Sequence, residues 1–302
     1  MREEEKYIKS YDGELIYAKE YTVENPKGTI VLTTDIKEHS MLYTNFALKL
    51  QEANYNVFTY DLRAHKNSAK EPFGTYSNNF FNDCVRDLLY LNKYLSKKYE
   101  TKIINIGLGL GGIVILRMLQ FNNEDCINIL VGTPFSQLNI SNYFYRCVTR
   151  LALVFVNKHS EVKGLNKIID YFKKHKFEDG AFESTNKEYI EKIRNDKFCN
   201  FNISANMLNS IYKGQIETFS SKNLNKINNT QKFLLCCGEY DVITKFGKST
   251  EKLAIKLAKC GKNCNKIIFK DLRHNLINES NNTFIEYLKN YLGENENDSR
   301  RN

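Results

Sequence analysis

Three hundred and two residues with 42% hydrophobic content can bury the core of one large α/β domain, or of a core domain carrying one insertion. Only three prolines occur (Pro26, Pro72, Pro134), which excludes a Pro-rich, collagen-like or mucin-like chain, and no apolar run approaches the length that spans a membrane. Lys and Arg outnumber Asp and Glu by 44 to 35, but the excess of +9 forms no dense basic block interleaved with aromatics, so nucleic acid is not an expected partner. Weak attraction to anionic lipid is compatible with that charge. The opening Met1-Arg2-Glu3-Glu4-Glu5-Lys6 has no apolar stretch behind it, so no secretory signal is expected and the cytoplasm is the expected compartment. Eight cysteines are too sparse for a disulfide scaffold, and Cys260-x3-Cys264 lacks the second ligand pair of a zinc site. Reduced, space-filling cysteines are expected, with no metal and no cofactor.

In chain order, Asp12-Gly13 between Lys6–Ser10 and Glu14–Tyr21 predicts a β-hairpin. A buried strand at Thr29–Thr33 is followed by a helix from about Met41 to Ala53 and a strand at Asn56–Tyr60. Phe80–Leu95 shows helical spacing, Ile103–Ile106 a strand, Ile113–Leu119 a helix and Cys126–Val131 a strand. From about residue 135 to 224 the alternation stops, and helical patterns rich in aromatics and lysine take over. Alternation returns with a strand at Lys232–Cys237, a helix at Lys248–Lys259, a strand at Lys266–Phe269 and a helix at Asn282–Leu292. This predicts an α/β protein with a mostly parallel sheet covered on both faces, the core being 1–134 and 225–293. The segment 135–224 is expected to form a helical cap over a pocket at the carboxyl ends of the strands, and 294–302 a disordered tail. Within the cap the apolar run Leu151–Val156, flanked by Arg146, Arg150 and Lys158, reads as a buried helix, although contact with a membrane surface through the cap is an alternative. His39 and His65 read as loop-packing residues, His159 and His175 as exposed ones.

The chemistry turns on Gly107-Leu108-Gly109-Leu110-Gly111-Gly112, between a strand and a helix. One reading is G-x-G-x-x-G, a dinucleotide fingerprint. That motif demands an acid at the end of the next strand, which instead ends Gly132-Thr133-Pro134, and here two strand–helix units precede the glycines. The other reading is a nucleophile elbow, G-x-S-x-G-G, with Gly109 where serine belongs. An elbow requires an acid after a later strand and a histidine after the last one, and Asp241 and His274 occupy those places in that order.

Together with Ser10-Tyr11-Asp12-Gly13, Glu38-His39-Ser40 with Tyr43, Tyr60-Asp61-Leu62-Arg63-Ala64-His65, Gly238-Glu239-Tyr240-Asp241 and Arg273-His274-Asn275, these features carry a resemblance. The chain resembles the monoacylglycerol lipase and lysophospholipase-like α/β-hydrolases, of the serine aminopeptidase type, over nearly its whole length. The resemblance implies the α/β-hydrolase fold and an ancestry in lipid carboxylester hydrolysis, in which serine attacks the ester carbonyl, histidine takes the serine proton and aspartate orients the imidazole. It also implies oxyanion-hole donors at the backbone N–H of Leu110 and of Ile36. Here Gly109 offers no nucleophile, and the family's His-Gly turn reads Thr34-Asp35, placing a carboxylate where it would repel a developing oxyanion. Two turn glycines are also replaced, by Ala64 and Lys66. The expectation is a remnant Asp241–His274 dyad beneath a cap, without serine acyl-enzyme chemistry. An acyl lipid or ester-like molecule is the expected ligand. A non-catalytic binder of an acyl lipid or a protein, and a dinucleotide-dependent oxidoreductase, are the alternatives.

Overall fold

The Asp12-Gly13 turn joins two antiparallel strands, β1 (Arg2–Lys9) and β2 (Leu15–Thr22), paired without interruption from Arg2 opposite Thr22 to Lys9 opposite Leu15. The computed structural model describes residues 1–69, 72–76, 79–136, 140–155, 157, 159–161 and 176–301; for 140, 141 and 296–301 the backbone alone is described. Beyond the hairpin the chain follows the predicted alternation: β3 (Thr29–Thr33), α1 (Thr44–Glu52), β4 (Asn56–Tyr60), α2 (Phe80–Tyr99), β5 (Ile103–Leu108), α3 (Leu110–Met118) and β6 (Ile127–Val131). Among the described residues that follow, the helices are α4 (Ile140–Phe155), α5 (Lys187–Asn195), α6 (Ala205–Thr218) and α7 (Ser221–Leu224). The chain closes with β7 (Lys232–Gly238), α8 (Lys248–Lys259), β8 (Asn263–Phe269) and α9 (Thr283–Arg301).

The eight strands form one sheet in the order β1-β2-β4-β3-β5-β6-β7-β8, antiparallel at the hairpin edge and parallel from β4 through β8. Every residue of β3, β4, β5 and β6 is buried, as parallel strands covered by helices on both faces require. Alternate side chains feed two apolar cores: Val31 and Phe58 pack on one face, Ile30, Leu32 and Val57 on the other. All parallel strands present their carboxyl ends on one side, and the loops there carry residues 35, 109, 241 and 274.

Three readings are corrected. Helix α3 starts at Leu110, directly after the glycine turn, rather than at Ile113. Helix α9 runs on to Arg301, where disorder was expected from residue 294; the Asn295 side chain folds back on the helix, its Nδ2 donating to the Tyr291 carbonyl at 2.8 Å. The apolar run in α4 is not buried: Leu151, Val154 and Phe155 are 58%, 75% and 85% exposed. That helix docks on α6 by its other side, stacking Tyr145 on Tyr212 at 5.4 Å, which turns the apolar run outward. Val156, Lys158 and His175 lie outside the described residues, and His159 is exposed as expected. Among the described residues no helix is long and apolar enough to cross a membrane.

Candidate active site

The turn between β5 and α3 is sharp because Gly109 adopts φ +48°, ψ −110°, a conformation that L side chains rarely enter. The neighbouring glycines serve close packing: a Cβ on Gly111 would lie 2.2 Å from the Thr33 carbonyl oxygen, and one on Gly107 2.6 Å from the backbone of Gly111. Helix α3 can therefore start hard against β3, and the pattern that also spelled a dinucleotide fingerprint is accounted for by strand–helix contact.

On the far side, Asp241 follows β7 and His274 follows β8. Their side chains meet as the sequence predicts, with His274 Nδ1 donating to Asp241 Oδ1 at 3.0 Å. The backbone N–H groups of Ile243 and Thr244 also donate to that oxygen, at 2.8 and 3.3 Å, and hold the carboxylate in place. The dyad needs space beside β6, and Gly132 provides it: a Cβ there would fall 2.6 Å from His274 Cε1.

The decisive departure is Asp35. Thr33 on β3 pairs with Gly107 on β5, so residues 35 and 109 both lie two positions beyond the same rung of the sheet. A side chain from either can reach the same point. Gly109 contributes none, and the Asp35 carboxylate takes the space: a Cβ on Gly109 would lie 2.2 Å from both Cγ and Oδ2 of Asp35. Asp35 Oδ1 accepts from Leu110 N–H at 2.7 Å and from its successor Ile36 N–H at 2.8 Å. These are the two donors expected to form an oxyanion hole, and they do converge, but on an oxygen of the protein itself. Asp35 Oδ2 lies 3.3 Å from His274 Nε2. The carboxylate thus fills the hole instead of merely standing beside it, and it also lies against the imidazole where a serine hydroxyl would. Burial alone would lower the pKa of His274, but the charges of Asp241 and Asp35 outweigh it and raise it to about 10, so the ring is protonated at neutral pH.

Behind Asp35 lies a network that the sequence reading did not assign. Glu38 accepts from the Asp35 backbone N–H at 3.0 Å, from Tyr189 Oη at 3.2 Å, from Asn275 Nδ2 at 3.0 Å and from Tyr43 Oη. It ties the β3 loop to the loop of His274 and to α5. Burial, then the neighbouring Asp35 charge, push its carboxyl up to about 7. A cavity of about 350 Å³ opens over Asp35 and His274, with Ile36, Phe182, Ile193, Leu208, Ile211 and Ile243 among its apolar walls. Helices α5 and α6 supply much of that wall, through Tyr189 and Ile193 and through Leu208 and Ile211.

His39, Asp196 and Cys199 bring ligand atoms within 4.8 Å of one another. The Lys66 ammonium lies 3.4 Å from His39 Nδ1, which opposes a second cation, and the His39–Asp196 bond at 2.9 Å acts as a strut between the β3 loop and the segment after α5. His65 is a buried packing residue: burial lowers it to about 4, and it accepts from Lys37 N–H at 3.1 Å. Ala64 and Lys66 keep positive φ (60° and 31°) although the glycines are gone. Arg63 pairs with Asp12 and Asp87 and pins the first hairpin to α2, so that motif is structural.

Residues 24–281 match the model of the serine aminopeptidase S33 family of hydrolases. The chain belongs to that family. Among solved structures it is similar to a thermostable carboxyl esterase from Bacillus coagulans, 17% identical over 97% of each chain with a TM-score of 0.85. It is similar also to the monoglyceride lipase of Saccharomyces cerevisiae, 15% identical over 97% of this chain and 96% of that one, with a TM-score of 0.75. A monoacylglycerol lipase of Paleococcus ferrophilus is 17% identical over 92% of this chain and 98% of its own, with a TM-score of 0.67. At such identities these structures establish the shared α/β-hydrolase fold. No curated protein matches the sequence. Gly109, in the turn after β5, Asp241, after β7, and His274, after β8, are the residues that the sequence assigned to the elbow tip, the acid and the base. The sequence named all of these together with Asp35, Ile36 and Leu110; it missed Glu38 and Tyr189 as parts of the site. The available signal was the acid three residues beyond Asp35.

Proposed function

We propose that this S33-family chain has lost serine-based hydrolysis of lipid esters and keeps the pocket as a binding site for a ligand with an acyl or alkyl chain. The observation that carries this reading is Asp35 Oδ1 bound by both Leu110 N–H and Ile36 N–H. A substrate's developing oxyanion would have to displace a charged oxygen from the two donors it needs, and residue 109 supplies no hydroxyl to begin the attack. Loss of the nucleophile alone costs ~10⁶-fold in turnover in a comparable triad. The apolar walls of the cavity support an alkyl-chain ligand.

The test compares variants with a fluorophosphonate probe and short p-nitrophenyl esters. The native protein is expected to be neither labelled nor active. Gly109→Ser is expected to stay silent too, because its side chain would collide with Asp35. Asp35→Gly combined with Gly109→Ser is expected to bring back labelling and turnover. Saturable ester turnover by the native protein that His274→Ala abolishes would overturn the reading.

A further inference from the structure

The two N–H donors polarise the carboxyl group of Asp35 itself. Its Oδ1 sits 2.7 and 2.8 Å from Leu110 N and Ile36 N, while Oδ2 lies 3.3 Å from His274 Nε2. The side chain is 20% exposed and lines the apolar cavity, so a small molecule there can meet it. Carboxylates are competent nucleophiles when held in this way. Attack on an ester carbonyl would place a new oxyanion with no hole to receive it. Attack on a saturated carbon develops no such oxyanion. It leaves Asp35 as an ester whose carbonyl oxygen already occupies the hole, and that ester is then the group on which these donors and His274 can act.

We propose that Asp35 is a nucleophile toward saturated carbon, and that the site opens an epoxide carried on an apolar chain to the corresponding diol through a covalent Asp35 ester. In the first step a lone pair of Asp35 Oδ2 forms a bond to a ring carbon while the ring C–O bond breaks, and the ring oxygen takes the Nε2 proton of His274, directly or through water. An epoxide is favoured over an alkyl halide because its leaving oxygen needs an acid, and the imidazolium is one. Esterification removes the Asp35 charge, one of the two carboxylates that hold the His274 proton, so the ring is left neutral and basic. In the second step His274 takes a proton from water as the water oxygen bonds to Asp35 Cγ, and the tetrahedral oxyanion on Oδ1 is held by Leu110 and Ile36 N–H. Collapse breaks the Cγ–Oδ2 bond, the released alkoxide regains a proton from His274, and the acid on Asp35 reprotonates the ring. Overall, epoxide and water become diol, and oxygen Oδ2 leaves in the product.

The proposal rests on the alkyl-chain reading above for its substrate, yet the two fail separately: a protein that binds alkyl chains without reacting loses this proposal and keeps that reading. The test uses the full chain and epoxyoctane in water labelled with oxygen-18. Native protein is expected to form the diol and to carry the label in the Asp35 peptide. His274→Ala is expected to slow release by ~10²-fold and accumulate the octyl ester on Asp35, detected by peptide mass spectrometry. Asp35→Asn, which keeps the shape of the side chain, is expected to form no adduct. Should His274→Ala fold poorly, the oxygen-18 content of Asp35 in the native protein decides alone. Absence of the heavy Asp35 peptide after incubation, or alkylation confined to Cys199 in the same cavity, overturns the proposal.

Discussion

Asp241 and His274 meet at 3.0 Å with both side chains buried, whereas on the facing wall the glycine turn bears no side chain and Asp35 reaches across from the next strand to fill the gap. The acid–histidine half rests on several loops at once: the backbone N–H groups of Ile243 and Thr244 hold the carboxylate, and Gly132 leaves room for the ring. The facing wall rests on two adjacent strand ends in parallel register, so the space above the bare glycine turn after β5 can be filled by a side chain from the loop after β3. Neighbouring parallel strands can thus exchange who supplies a group, while a dyad clamped by three loops cannot.

The largest expected effect separates the two halves by stability. Asp241→Ala removes the wholly buried partner of His274 and is expected to cost ~3 kcal/mol, whereas Asp35→Asn, at the edge of the cavity, is expected to cost ~1 kcal/mol. Equal losses in urea unfolding would erase the distinction. Next in size is Gly109→Ala, expected to cost ~2 kcal/mol through the collision with Asp35 and the positive φ. In an Asp35→Gly background only the φ cost remains, ~1 kcal/mol. A double-mutant cycle with no coupling between positions 35 and 109 would separate what the structure joins.

The effect spread most gradually is a slope of stability with pH. His274 is raised from 6.5 to about 10, so the stabilisation from its two carboxylates is complete below pH 6.5 and fades as pH climbs to about 10. Glu38 is raised from 4.5 to about 7; folding favours its neutral form, so it adds a loss of stability in the same direction across that lower window. Melting temperatures measured across both windows are expected to fall with rising pH. Asp35→Asn is expected to end the upper slope at a lower pH by removing one of the two carboxylates facing the imidazole. A native profile flat from pH 6.5 to about 10 would mean that the imidazole is not held in its charged form.

Much of this was legible along the chain because it is local. Strand β3, strand β4 and helix α8 fall at the predicted residues, since unbroken apolar runs and 3.6-residue spacing report burial directly. The positions of Asp241 and His274 were legible for the same reason, each lying just past a recognisable strand. The outward face of α4 was not: Leu151, Val154 and Phe155 have the composition of a buried helix, and only the docking of α4 by Tyr145 decided which side met solvent. The extension of α9 beyond residue 292 was not either, because a polar composition alone does not stop a helix.

The sequence by itself determined the α/β-hydrolase fold and the strand ends that carry residues 109, 241 and 274, because residue type and order along the chain suffice to read strands, helices and the loops between them. Where the Asp35 carboxylate points was decided by the tertiary structure alone. Residues 35 and 109 are 74 positions apart, and only the pairing of β3 with β5 brings them to one place. Whether a charge repels an oxyanion or replaces it is a matter of an ångström or two, a distance that exists only once the strands are side by side.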